Sequence, residues 1–272
     1  MSLEQGERAG PIGLVVSDID GTLVRRDKSL PDANVAAVKA VTARGVPVSL
    51  ISARPPSGIL PIARALGLPG PFAAFNGGTL FDDDGTIREA HRLDDDLAVE
   101  AARRILAAGM TLWTFAAGKW FASDVANPHT DRERLSAGLE PDSGTPAGPR
   151  DKLVAVCDDA ARLSAMEQDL RALAGPRATV IRSQAYYLDV TAPAANKGDG
   201  LAALAALYGV APGAVAVLGD QANDIAMFRR AGLSVAMGQA TPDVAAEADH
   251  VAAANEADGV ADGLERFIVP RL

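Results

Sequence analysis

One cysteine in 272 residues leaves no internal disulfide framework to build on. That scarcity fits a reducing compartment, so a cytoplasmic location is expected. Cys157 ends the apolar run LVAVC and reads as a small core residue. No stretch approaches ~20 uninterrupted apolar residues, so no membrane span and no membrane partner are expected. The opening residues, MSLEQGERAG, lack the apolar core of a secretory signal, and the chain before Pro11 reads as a flexible tail. Positive charge is also thin. Lys plus Arg number 26 against 35 Asp plus Glu, for a net charge of −9, and only five of the basic residues are lysines. Without a basic stripe the chain does not read as a nucleic-acid binder, although a small anion can still bind at a local site. What remains is ordinary: 48% hydrophobic and 22% charged, long enough for two domains, as a monomer or small homo-oligomer.

The informative stretch is Gly13 to Val24, GLVVSDIDGTLV. Leu14, Val15 and Val16 predict a parallel strand buried on both faces. Asp18 and Asp20 follow it, one residue apart, and in extended chain such residues point the same way. Both carboxylates then face the crevice at the strand's carboxyl end, where open α/β sheets bind ligands. Two like charges this close repel, so a cation or a shared proton is expected between them. Gly21 permits a sharp turn, and Thr22 places a hydroxyl beside the carboxylates.

The chain then alternates. A helix is expected from Pro31 to Arg44, a strand from Val46 to Ile51 ending in Ser52-Ala53-Arg54, a helix from Ser57 to Leu66, and a strand from Phe72 to Phe75 before Asn76-Gly77-Gly78. That order predicts an α/β fold with a doubly wound parallel-sheet, Rossmann-like core. The rhythm changes at TLFDDDGTIREA, a hairpin around Asp84-Gly85, and a second hairpin turns at Ala117-Gly118. A loop is expected from Pro141 to Pro149, and strands from Leu153 to Cys157, Ala178 to Arg182 and Tyr186 to Val190. The first rhythm returns at Pro193. Residues 11–80 and 193–272 therefore form a discontinuous core, and residues 81–192 an inserted α+β cap.

Two further groups carry chemistry. Lys197 opens a helix, where the dipole disfavours a cation, so another task is expected of it, charge on a phosphate. Asp220 ends an apolar strand in Gly219-Asp220-Gln221-Ala222-Asn223-Asp224, and Asp224 lies one helical turn on. With Asp18 and Asp20 these oxygens make a hard-cation site suited to Mg²⁺.

The ordered set DIDGT, SAR, NKG and GDQAND resembles the four motifs of the haloacid dehalogenase superfamily of phosphohydrolases. NGG at Asn76 and the place of the insert resemble its Cof-type subfamily, with a larger α/β cap. The resemblance implies a Mg²⁺-dependent phosphatase acting on a small phosphorylated metabolite, a sugar phosphate favoured, through an aspartyl-phosphate. It makes Asp18 the nucleophile and Asp20 the acid/base, with Lys197 as the remaining catalytic group. Ser52 and Lys197 would hold phosphate, with Gly21, Thr22, Ala53, Arg54, Asn76 and Asn223 around it. Asp220 would hold Mg²⁺ beside Asp18 and the Asp20 backbone carbonyl, supported or joined by Asn223 and Asp224. One departure is SAR where the subfamily often has TGR: Ser52 keeps the hydroxyl, while Ala53 alters the backbone freedom that aims Arg54. A phosphomutase or phosphotransferase shares these motifs, and a metabolite-binding protein without turnover is a third reading. No motif in the cap names a substrate; Trp113, Trp120, His129, Tyr186 and Tyr187 are the possible contacts.

Overall fold

The computed structural model describes residues 10–144, 146 and 148–272. Residues 1–9 of the expected tail, and Thr145 and Ala147 of the expected loop, lie outside them. The chain runs β1 (Leu14–Ser17), α1 (Asp32–Thr42), β2 (Val48–Leu50), α2 (Pro56–Leu66) and β3 (Phe72–Ala74). It continues β4 (Thr79–Phe81), β5 (Ile87–Ala90), α3 (Asp95–Ala107), β6 (Thr111–Ala116), β7 (Lys119–Ala122), α4 (Thr130–Ala137), β8 (Pro141–Asp142), β9 (Lys152–Val156), α5 (Ala160–Ala174), β10 (Thr179–Gln184) and β11 (Tyr187–Thr191). It closes with α6 (Lys197–Leu207), β12 (Val215–Gly219), α7 (Ile225–Phe228), β13 (Leu233–Ala236), α8 (Pro242–Ala245), β14 (His250–Val251) and α9 (Gly259–Gly263).

The central sheet has the order β14-β13-β12-β1-β2, and every pair in it is parallel. Alternate residues of its strands face opposite layers. Leu14, Val16, Val215 and Val217 pack with Leu201 and Leu204 of α6 and with Met227 and Phe228 around α7. Val15, Val48, Ala216 and Leu218 pack with Val38 and Val41 of α1 and Val260 of α9. Both faces are covered, which is why these strands read as unbroken apolar runs rather than as alternating ones. The doubly wound core expected from the sequence is present.

A second, six-stranded sheet has the order β10-β11-β9-β6-β7-β8. One face packs on α3 and α5 through Leu112, Leu153, Leu188, Leu97 and Leu163. Cys157 sits partly buried against this cluster. The other face carries Trp113, Phe115, Trp120, Val154 and Tyr187 and joins the apolar cluster of the core. The hairpin β4–β5 pairs with β3, which touches β2 through an Ile51–Ala73 bridge, and so lies outside the six-stranded sheet. Where a loop was expected, Pro141 and Asp142 form β8 against Trp120 and Phe121. Proline is tolerated there because β8 is an edge strand. Among the described residues no helix is long and apolar enough to cross a membrane.

Candidate active site

Asp18 leaves the carboxyl end of β1, Ser52 follows β2, Asp220 follows β12 and Lys197 opens α6. Parallel strands bring these ends to one edge of the sheet, so residues up to 202 positions apart converge there. Asp18 and Asp20 line one cavity of about 90 Å³ with Ser52, Ala53, Arg54, Lys197 and Asn223. From α4 come Arg132, Glu133 and Ser136, and from the six-stranded sheet Lys152, Ser183, Gln184 and Tyr187.

No side-chain cation bridges the two motif carboxylates among the described residues. Lys197 Nζ donates to Asp18 Oδ1 at 2.7 Å and to Asp224 Oδ1 at 2.5 Å, fully buried among them. Burial opposes its charge, but the two carboxylates outweigh that and hold the ammonium firmly protonated. Asp20 instead takes Arg54 in a fork, Nε to Oδ2 at 2.6 Å and Nη2 to Oδ1 at 2.7 Å. Lys28 Nζ adds a third contact at 2.5 Å. Burial alone would raise Asp20; Arg54 and then Lys28 hold it well below the usual carboxylate range. Arg54, one residue past Ala53, is thus aimed at Asp20, and its backbone N–H meets Ser52 Oγ at 3.2 Å.

Asp220 is fixed from several sides. Thr22 Oγ1 donates to its Oδ1 at 3.1 Å, and Gln221 and Gln239 side chains donate to Oδ2. Gly21, at φ 83°, passes so close that a Cβ there would lie 2.3 Å from Asp220 Oδ2, which is why the turn takes glycine. Asp224 Oδ2 accepts the backbone N–H groups of Asp220 and Gln221, both at 2.8 Å, and so orders the strand-end turn. Asn76 is held in a left-handed conformation, donates its N–H to Ser52 O, and accepts from Asn223 Nδ2 at 3.1 Å. Asn223 Oδ1 is buried without a partner among the described residues.

Ligand atoms of Asp18, Asp220 and Asp224 lie within 4.8 Å of one another. One ammonium cannot neutralise three buried carboxylates. Burial pushes Asp18 up to about 8, with Asp224 and Asp220 adding and Lys197 opposing. Burial and then Asp224 push Asp220 up to about 6. This all-oxygen, electron-rich cluster with an orphaned amide oxygen nearby suits a hard divalent cation.

Sequence reasoning missed Lys28, whose approach to Asp20 depends on a left-handed turn at φ 70°. It also missed Glu133, Lys152 and Asp189. Lys152 and Asp189 pair at 2.7 Å on the inward face of the six-stranded sheet. A charge between Leu188 and Val190 was the available signal. Of the five aromatic candidates, Trp113 and Trp120 are wholly buried edge-to-face partners and His129 stacks on Tyr186, while Tyr187 reaches the cavity.

The acidic cluster lies at the carboxyl ends of a parallel sheet, under a mixed sheet-and-helix cap. A family model described as haloacid dehalogenase-like hydrolase matches residues 15–264, and the chain belongs to that family. A haloacid dehalogenase-like hydrolase from Bacteroides thetaiotaomicron superposes with a TM-score of 0.86 at 25% identity, covering 94% of this chain and 99% of that one. A phosphoglycolate phosphatase of Methanopyrus kandleri is 28% identical over 257 residues, 94% of this chain and 97% of its own. A 5-amino-6-(5-phospho-D-ribitylamino)uracil phosphatase of Bacillus subtilis is 26% identical over 258 residues, 95% and 96% of the two chains. The chain is a hydrolase of phosphoric monoesters.

Proposed function

We propose that the chain is a Mg²⁺-dependent phosphatase of a small phosphorylated metabolite, a sugar or polyol phosphate favoured, working through an aspartyl-phosphate on Asp18. The observation that carries this reading is the meeting of Asp18, Lys197 and Ser52 in one cavity with Asp20 beside them. Relatives that act on a phosphorylated ribityl compound and on phosphoglycolate support a small ester. Mg²⁺ would be held by Asp18, Asp220 and the Asp20 carbonyl, with Asn223 adjoining. Asp224 would act from behind, through Lys197 and the Asp220 backbone. When bound, the cation supplies charge neutralisation between a phosphate dianion and the attacking carboxylate.

Asp18 attacks phosphorus in line and carries the phosphoryl group. Lys197 and Ser52 hold the phosphate oxygens. Asp20 donates a proton to the leaving oxygen and later takes one from the water that hydrolyses the aspartyl-phosphate. Its clamp by Arg54 and Lys28 favours the carboxylate, the form needed for the second step. The first step requires the arriving phosphate to draw at least one of those cations away. We place the catalytic core at residues 11–80 and 193–272 and the cap at 81–192, with β4–β5 straddling the divide.

The test is release of inorganic phosphate from a panel of sugar, polyol and carboxylate phosphate esters, with Mg²⁺ and with EDTA, beside Asp18→Asn. Metal-dependent release that the variant loses is expected. Release unaffected by EDTA, or by Asp18→Asn, would remove the metal or the nucleophile from the reading.

A further inference from the structure

The roof of the cavity contains one carboxylate that no cation pairs with directly among the described residues. Glu133 lies on α4 three residues after Thr130 and four before Ala137, the two buried residues of that helix, so its side chain turns inward to the cavity. Its acidic neighbours are served on the outer side: Arg134 pairs with Asp131 and with Glu140. Of the two cations on the roof, Lys152 is held by Asp189 at 2.7 Å and faces the Phe115 ring, and Arg132 lines the cavity from α4 beside Glu133. The Glu133 side chain has no hydrogen bond or ion pair among the described residues; its backbone N–H donates to His129 O. The side chain is half-buried, and a carboxylate left this way on a cavity wall keeps acceptors that a ligand's donors can fill.

We propose that Glu133 is a specificity-determining residue that accepts hydroxyl groups of the leaving group and turns away anionic ones. This rests on the phosphatase reading above, which fixes the phosphate at Asp18, Lys197 and Ser52 and sends the leaving group toward the roof. A carboxylate can take two vicinal hydroxyls at once, and the neighbouring Ser136, Ser183 and Gln184 supply neutral donors and acceptors. A second carboxylate on the substrate would meet Glu133 as a like charge in a low-dielectric wall. Burial pushes Glu133 up to about 7, against the pull of Lys152, and either protonation state still accepts a hydroxyl. The site thus selects polyol esters over short carboxylate esters by one side chain outside the reacting centre.

The experiment compares ribitol 5-phosphate, 2-phosphoglycolate and phenyl phosphate in wild type, Glu133→Ala and Glu133→Gln. For Glu133→Ala, the ratio of kcat/KM for ribitol 5-phosphate to that for phenyl phosphate is expected to fall about 10- to 100-fold, carried by KM. Glu133→Gln keeps the hydrogen-bonding shape without the charge, so the preference for ribitol 5-phosphate over 2-phosphoglycolate should narrow. Equal losses on all three esters, or a loss carried by kcat alone, would overturn the proposal. Calorimetric binding of the same esters to Asp18→Asn, with and without Glu133→Ala, reads the contact without turnover. If wild type released no phosphate but this binding difference persisted, the phosphatase reading would fail and the Glu133 assignment would stand. Identical affinities would sink the Glu133 assignment alone.

Discussion

The floor and the roof of the cavity are both charged and both buried, and they handle charge in opposite ways. On the floor nearly every side-chain carboxylate oxygen has a donor. Asp18 and Asp224 share Lys197, Asp20 has Arg54 and Lys28, and Asp220 is gripped by Thr22, Gln221 and Gln239. On the roof Lys152 pairs with Asp189, whose Oδ1 is buried without a donor among the described residues, and the Glu133 side chain is unpaired. A floor whose groups are held in advance stabilises one unchanging object, the phosphoryl group, without reorganising at the moment of reaction. A roof with spare capacity meets the part of the substrate that differs from one phosphatase to another.

The largest effect that would break this contrast lies on the floor. Asp18→Asn is nearly isosteric and leaves Lys197 its Asp224 partner, so the fold should persist while turnover falls on the order of 10⁴-fold or more. Steady-state phosphate release and circular dichroism check both halves; wild-type-like activity would move the nucleophile elsewhere. Next comes Lys197→Met. Removing a buried ammonium from between two carboxylates should cost about 3–5 kcal/mol of stability. Denaturant unfolding measures it, and a loss below about 1 kcal/mol, the size of an exposed pair, would show that the floor is not held as described.

The sequence made the floor legible and the roof nearly opaque, for one physical reason. Floor residues sit at the ends of apolar parallel strands, and a strand end is readable from hydrophobic runs and glycine turns. Asp18, Ser52 and Asp220 were located that way. Lys197 stood out because a cation at a helix start works against the dipole. The roof residues come from the middle of a polar helix and from alternate positions of antiparallel strands. The inward direction of Glu133 depends on how α4 lies on α2, which no local pattern encodes, and Asp189 was signalled only by a charge between two apolar strand residues. The Asp18–Asp20 repulsion was legible, but its relief was not: each finds its own cation through long-range contacts, 34 residues away for Arg54 and 179 for Lys197.

A titration sharpens the contrast further. In the metal-free protein Asp18 holds its proton to about 8 and Asp220 to about 6, whereas in the unfolded chain both lose theirs near the ordinary carboxylate value. Between those limits the folded state binds more protons than the unfolded one, so stability falls as pH rises from about 4 to 8. The slope is on the order of 1 kcal/mol per pH unit for each carboxylate still protonated in the fold. Millimolar Mg²⁺ should abolish the slope, because a cation at the cluster favours the ionised forms. Thermal unfolding across this range, with EDTA and with Mg²⁺, tests it, and a Mg²⁺-induced gain in Tm that is larger at pH 5 than at pH 8 would contradict it.

The smallest expected effect tests whether roof and floor act as one cavity. Gly58, in α2, lies against α4 so closely that a Cβ there would sit 2.0 Å from the Ser136 carbonyl oxygen. Ser57 Oγ reinforces the contact by donating to Ala137 O at 2.6 Å. Arg54 Nη1 donates to Gly58 O at 3.1 Å while its fork holds Asp20, so the contact touches the floor directly. Gly58→Ala must push α4 off α2, widening a cavity of only about 90 Å³ and lifting Glu133 away from the floor. Overpacking of this kind costs about 1–3 kcal/mol, and part of it is relieved here by movement of the cap. The expected result is a fall of about 10-fold in kcat/KM for a polyol phosphate, carried more by KM than by kcat. A Gly58→Ala variant with unchanged KM would mean that α4 packs on α2 without setting the roof over the substrate, and the two surfaces would then have to be treated as independent.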